Sequence, residues 1–302
     1  MQLIFSRIGF FFMLNFKHIF YITFLLSFSA IADSRRPAVY TDLNPQEKEQ
    51  KAESEKNARD PKTKIELSRI GNEIITYIKA KSWKNVERKL SEILKIDKSS
   101  FEYDYFKGAY LYSINDYKSA LLFLNQAIEK NPDHDPSYYL IGMTHGKFRN
   151  WEKAVYYLEI AIGKTYNPFY SHNLAIFYFL QKNYSAAKLT SAKTLELKNN
   201  YQDAKLLLLK SLIRLNQLDE AFNLCKIYSN DKFFSGDFLE IYSKVLYENK
   251  NDYPKIIELL LPLKNISFES KRILAYSLFK ENRLEESSAL YKQIFQSGVD
   301  LE

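Results

Sequence analysis

Residues 101–132 read FEYDYFKGAYLYSINDYKSALLFLNQAIEKNP, and this stretch decides the fold. Its first half carries Gly108 and ends at Asn115-Asp116-Tyr117. Its second half carries Ala120, Leu124 and Ala127 and ends at Asn131-Pro132. Leu121, Leu124 and Ile128 recur three and four apart, which places them on one face of a helix. Two helices joined by a short polar turn follow from that spacing. The same reading fits residues beyond the stretch: Tyr138, Gly142, Asn150-Trp151, Ala154, Leu158 and Ala161, then Leu174, Ala175, Tyr178, Asn183-Tyr184 and Ala187, then Leu208, Leu212, Leu218 and Ala221. A small or branched residue therefore follows a loop at Val86, Ala120, Ala154, Ala187, Ala221, Ile256 and Ser287, at intervals of 34, 34, 33, 34, 35 and 31 residues. A period near 34 built of helix pairs predicts a stacked array whose core grows lengthwise, each unit packing only on its neighbours.

The composition suits helices joined by short loops. Glycine numbers 8 in 302 residues, few for a fold rich in tight turns, while Tyr (23) and Phe (22) supply large rigid side chains. Helix starts are expected at Asp135-Pro136 and Asn167-Pro168, where a capping side chain precedes a proline whose missing N–H costs nothing. The sixth unit departs most, with Lys244 standing where a small residue is expected and Ile256 replacing alanine.

These spacings resemble the tetratricopeptide repeat (TPR), whose small residues fall at the eighth, twentieth and twenty-seventh positions of each unit. The resemblance spans about Ile65 to Phe295. It implies an all-α, right-handed α-solenoid of about seven helix-turn-helix repeats over residues 64–302, with the first helices lining a concave groove. Carried onto this chain, that groove holds Tyr105, Tyr112, Tyr139, Met143, Phe169, His172, Ile176 and Phe179. An aromatic groove suits an extended peptide or an apolar helix, because rings give contact area at low entropic cost. The lysine and asparagine clamp that some relatives use on a C-terminal carboxylate is absent: Gly71, Ile75, Tyr105, Phe106, Pro136 and Leu140 stand there. At the far end, Leu290, Ile294 and Phe295 are expected to face outward and contact a partner or a second copy of the chain.

Residues 1–32 differ from the rest. Lys17 and His18 precede an apolar run from Ile19 to Leu26, and Ala30-Ile31-Ala32 supplies small residues at the third and first positions before a cut, as in a secretory signal. Cleavage before Asp33 and export to the periplasm are expected. An uncleaved anchor is the rival, although a span needs about 20 apolar residues. Residues 33–63 read as a flexible polar linker, with seven acids and seven bases between Asp33 and Lys62 and few apolar residues to offset ordering entropy.

Chemistry-bearing clusters are not evident. His18, His134, His145 and His172 lack ligand spacing, and Cys225 sits at a core position of a second helix, so no catalytic residue, metal or cofactor is expected. The formal charge is +7; setting aside Arg7 and Lys17, the two bases of residues 1–32, leaves +5. The densest bases, Lys79, Lys81, Lys84, Arg88, Lys89, Lys95 and Lys98, are interleaved with Glu87, Glu92 and Asp97. That mixture describes a solvated face more readily than a nucleic-acid stripe. The expectation is an exported, non-catalytic scaffold for a protein or peptide in a cell-envelope complex. Alternatives are a binder of anionic polymer such as exported polysaccharide, and a non-catalytic subunit of an envelope enzyme.

Overall fold

The computed structural model describes residues 59–229 and 235–299. The expected signal segment with Ala30 and Ala32, and most of the expected linker, lie outside them. Among the described residues fourteen helices and no strand are found. They pair as α1 (Pro61–Lys79) with α2 (Trp83–Ile96), α3 (Phe101–Ser113) with α4 (Tyr117–Lys130), α5 (Asp135–Lys147) with α6 (Trp151–Lys164), and α7 (Pro168–Leu180) with α8 (Tyr184–Leu197). The remaining pairs are α9 (Gln202–Arg214) with α10 (Leu218–Tyr228), α11 (Gly236–Asn249) with α12 (Tyr253–Leu260), and α13 (Phe268–Lys280) with α14 (Leu284–Val299). Helix α1 begins at Pro61, inside the segment read as linker; proline is pre-set for a first helical turn, so the order starts earlier than apolar patterning alone suggests.

Each helix from α3 onward packs on the next in sequence, and first helices of neighbouring repeats also meet: α3 with α5, α7 with α9, α9 with α11, α11 with α13. Among the described residues the apolar core is accordingly strung along the chain in successive clusters, the first running from Leu67 to Ile141 and the last from Leu208 to Leu278. This is an all-α solenoid of helical repeats. Small residues sit at the helix crossings: Ala120, Ala154, Ala187 and Ala221 are fully buried, as is Cys225.

One backbone feature sets the period. Lys81, Asn115, Arg149, Lys182, Asn216, Asn251 and Asn282 adopt positive φ between 52 and 65°, each five residues before the small residue of its second helix. Each left-handed residue ends a first helix. In six turns the following N–H reaches back five residues, as Asp116 N to Leu111 O at 2.9 Å and Asn183 N to Tyr178 O at 2.9 Å. Satisfying the last carbonyls in this way turns the chain into the second helix. The sixth turn differs, because Asn251 N itself bonds Leu246 O at 2.8 Å. One extra residue is thereby accommodated. The small residue of α11 is consequently Ser243, fully buried, while Lys244 lies beside it and pairs with Glu269 at 2.5 Å and Glu248 at 3.7 Å. The sequence reading of Lys244 as the misfit was one position out.

No glycine occupies any of these turns, although left-handed backbone costs an L-residue about 1–2 kcal/mol. Arg149→Gly removes that strain while adding unfolded-state entropy of about 0.5–1 kcal/mol. The expected net gain is about 0.5–1 kcal/mol, read as a higher urea midpoint; an unchanged or lower midpoint would show that the turn is not strained.

Helix caps follow sequence only in part. Asn167 caps α7 through its side chain, accepting from Phe169 N at 2.8 Å, as expected. Asp135 does not cap α5. Helix α5 begins at Asp135 itself, preceded by His134; burial, and after it the Asp135 carboxylate, push the Tyr170 hydroxyl above its ordinary value.

Candidate functional site: the wall of first helices

Helices α3, α5 and α7 place the eight aromatic and apolar groove residues at matching register. Tyr105, Tyr139 and His172 each stand three residues before the crossing residue of their helix, Gly108, Gly142 and Ala175. The structure joins them into rungs between repeats. The Tyr105 ring lies 4.6 Å from His134, Tyr139 stacks on Tyr170 at 4.3 Å and 15°, and His172 lies 4.7 Å from Tyr201. Asn173 Nδ2 donates to the Tyr139 hydroxyl at 3.2 Å. Tyr112 meets Tyr117 at 5.5 Å, and Phe179 meets Tyr184 at 5.1 Å. Met143 packs on the Ala154–Phe177 cluster and Ile176 is half-buried.

Exposure separates surface from support. Phe169 is 54% exposed, whereas Tyr105, Tyr112, Tyr139, Met143, Ile176 and Phe179 are half-buried and His172 is only 7% exposed. His172 is therefore an interior rung and does not belong to the open face: the Tyr201 ring packs against it. Burial pushes the Tyr105 and Tyr112 hydroxyls up to about 12, with Asp135 and Tyr117 respectively acting in the same direction. Phenols held this firmly neutral act as hydrogen-bonding rims, not as bases. Lys198 Nζ sits 4.6 Å from the Phe169 ring and 4.7 Å from that of Tyr201, a cation–π brace at the open end.

Sequence reading missed His134, Tyr170 and Tyr201, the partners that complete the rungs. A signal existed for two of them. His134 and Tyr201 each precede a first helix and stand 29 residues after the ring they touch, Tyr105 and His172. Neither makes a side-chain cap bond, and both rings turn toward the preceding repeat.

The three described histidines carry a pH dependence. Desolvation, the largest cause in each case, holds His134, His145 and His172 below the ordinary histidine value. Nearby carboxylates oppose this at His134 and His172, while Lys153 reinforces it at His145. The unfolded chain takes up protons near pH 6.5 and the folded chain only at lower pH. Stability present above that value is therefore lost as pH falls below it. The thermal midpoint should drop between about pH 7.5 and 5.5, and His172→Asn should flatten the slope; a slope unaltered by that change would mean that His172 is solvated.

The expected terminal contact is split. Leu290 packs inward on the last core cluster, because α14 covers α13 as every second helix covers its partner. Ile294 is half-buried, and Phe295 stays outward at 75% exposure. In the basic first repeat Lys89 is buried and pairs with Glu73 at 2.8 Å and Glu92 at 2.7 Å, so the most central base there is already neutralised. Among the described residues no group of His, Cys, Asp or Glu could hold a metal ion, and no helix is long and apolar enough to cross a membrane.

No family model and no curated protein matches the sequence. Solved structures do. A Pseudomonas aeruginosa pilF structure is 17% identical with a TM-score of 0.55, covering 78% of this chain and 99% of its own. PilW, described as a widely conserved type IV pilus biogenesis factor, is 16% identical with a TM-score of 0.55 and coverage of 73% and 100%. YrrB, described as a TPR protein with an unusual peptide-binding site, is 16% identical with a TM-score of 0.52 and coverage of 58% and 92%. Taken with the seven helix pairs and their left-handed turns, these likenesses establish that the described chain has the tetratricopeptide-repeat fold.

Proposed function

We propose that this chain is a non-catalytic scaffold that holds an extended segment of a partner protein along the wall of α3, α5 and α7. The site of action is outside the cytoplasm, in the assembly or stabilisation of a cell-envelope complex. The observation that carries the reading is Phe169: a large ring more than half exposed, braced from behind by Tyr201 and Lys198, at the open end of a row of half-buried aromatics. A rigid, pre-ordered ring loses little entropy on contact, which is the property of an anchor site. YrrB and PilW, a peptide binder and a pilus biogenesis factor by description, support the type of role. The signal-like residues 1–32 support export.

A photo-crosslinking residue in place of Phe169, in cells, tests this. The expected result is one captured protein, with capture from Phe179 reduced when Phe169 is alanine. The same product captured equally from Leu122, exposed on the second helix α4, would overturn the wall as the binding face.

A further inference from the structure

The wall does not end at α7. Where α11, α13 and the last helix, α14, come together, a cleft of ≈ 230 Å³ is lined by Tyr247, Glu248, Glu269, Arg272 and Tyr276 of the first helices and by Tyr291 of α14. Arg272 stands three residues before Ala275, as Tyr105 does before Gly108; Tyr247 stands four after Ser243, as Tyr112 does after Gly108. Where the second to fourth repeats present mainly aromatic and apolar side chains, this end of the wall combines rings with an arginine and two carboxylates.

The charges are not equivalent. Both carboxylates are taken by one lysine, since Lys244 Nζ lies 2.5 Å from Glu269 and 3.7 Å from Glu248. Arg272 has no hydrogen bond or ion pair among the described residues. The rings around it are fixed: Tyr247 meets Tyr276 edge-on at 5.7 Å, and Tyr253 meets Tyr276 at 5.9 Å. Lys280 Nζ, 5.3 Å from the Tyr276 ring, adds a second positive group nearby. A cationic ligand would face Arg272 and Lys280, while the carboxylates that could attract it already hold Lys244. A planar guanidinium in a small cleft walled by rings is built for a carboxylate, which it meets with two parallel hydrogen bonds.

We propose that this cleft seats a carboxylate of the partner peptide, so that the bound segment is apolar or aromatic along α3–α7 and acidic at α13. The inference rests on the scaffold reading above and deepens it.

Fluorescence anisotropy of labelled hexapeptides on the full chain tests the cleft. The probes are acetylated hexaglutamate amide, the hexaglutamine amide, and hexaglutamine with a free C-terminus. Expected is binding of hexaglutamate that weakens about tenfold in Arg272→Gln, is partly kept in Arg272→Lys, and is unchanged in Arg214→Gln, an exposed cation of α9. Binding of the free-acid hexaglutamine with the same Arg272 dependence also supports the cleft and makes the chain end the carboxylate source. Equal binding of the two amides, equal loss in Arg214→Gln, or no binding of either carboxylate probe overturns it. Arg272 is exposed, so its variants should keep the parent's thermal midpoint. A chain that fails here but still crosslinks from Phe169 loses the cleft alone; failure of both readouts removes the scaffold reading.

Discussion

Leu158→Ala costs the array about 3 kcal/mol, and adding Gly142→Ala returns part of that loss instead of deepening it. Leu158 is fully buried where α6 crosses α5, and truncating such a leucine removes transfer energy and leaves a cavity, about 2–5 kcal/mol together. Gly142 explains the second half. A Cβ there would stand 2.1 Å from Leu158 Cδ1 and 3.0 Å from the Ala154 carbonyl oxygen. Alone, Gly142→Ala gains about 1 kcal/mol of helix propensity but meets an overpacking cost of about 1–3 kcal/mol. The clash wins, because its severe partner is the Leu158 side chain, which is fully buried and has no free space to turn into. With Leu158 shortened, the nearest clashing atom is gone and the new methyl enters the space it left. The coupling should exceed about 1 kcal/mol, as contacting sites do. Trp151 begins α6 and Trp83 begins α2, so fluorescence during urea unfolding in a Trp83→Phe background reports this repeat directly. Strict additivity would mean that the two helices separate at this crossing to relieve the contact.

That crossing also shows why so much of the fold was legible. Gly142, Ala154 and Leu158 must recur at fixed spacing because each repeat closes against the next, and a spacing so constrained survives wide changes elsewhere. What sets the spacing was less visible. The left-handed turn is occupied by Asn four times but by Lys81, Arg149 and Lys182 otherwise, so no single residue type announces it. In the sixth repeat the turn gained a residue and the small position moved to Ser243, a shift that a fixed count of residues cannot detect. The wall was legible as a row of positions, yet exposure within it was not. Phe169 is open and His172 is closed, three residues apart on one helix, because Tyr201 comes from the following repeat to cover the latter. A ring's neighbour across the repeat boundary decides whether it is surface or support, and that neighbour lies a full helix pair away in sequence.

Lys130→Ile should cost about 2–3 kcal/mol, and Asp104→Ile in the same chain should restore it. Asp104 on α3 is 3% exposed, and its Oδ2 accepts no hydrogen bond other than the pairing with Lys130 Nζ at 2.6 Å. Removing the lysine leaves a buried carboxylate without compensation, which typically costs about 3–5 kcal/mol; the lysine side chain is 39% exposed, so water offsets part of it. The repeat itself supplies the control. One period earlier the same two positions hold Ile70 and Ile96; one period later they hold Tyr138 and Lys164, whose Nζ lies 5.4 Å from the tyrosine ring. The contact between these positions is met by ionic chemistry in the second repeat and by cation–π chemistry in the third, while the first repeat places isoleucine at both positions. Ile70 is 1% exposed at its site, so isoleucine fits the position. Replacing both members of a buried ion pair by apolar groups of similar size is often neutral or better. The double variant should therefore match or exceed the parent in urea. A double variant as unstable as Lys130→Ile alone would mean that the ion pair itself holds the register between α3 and α4, and that isoleucine at both positions cannot replace it.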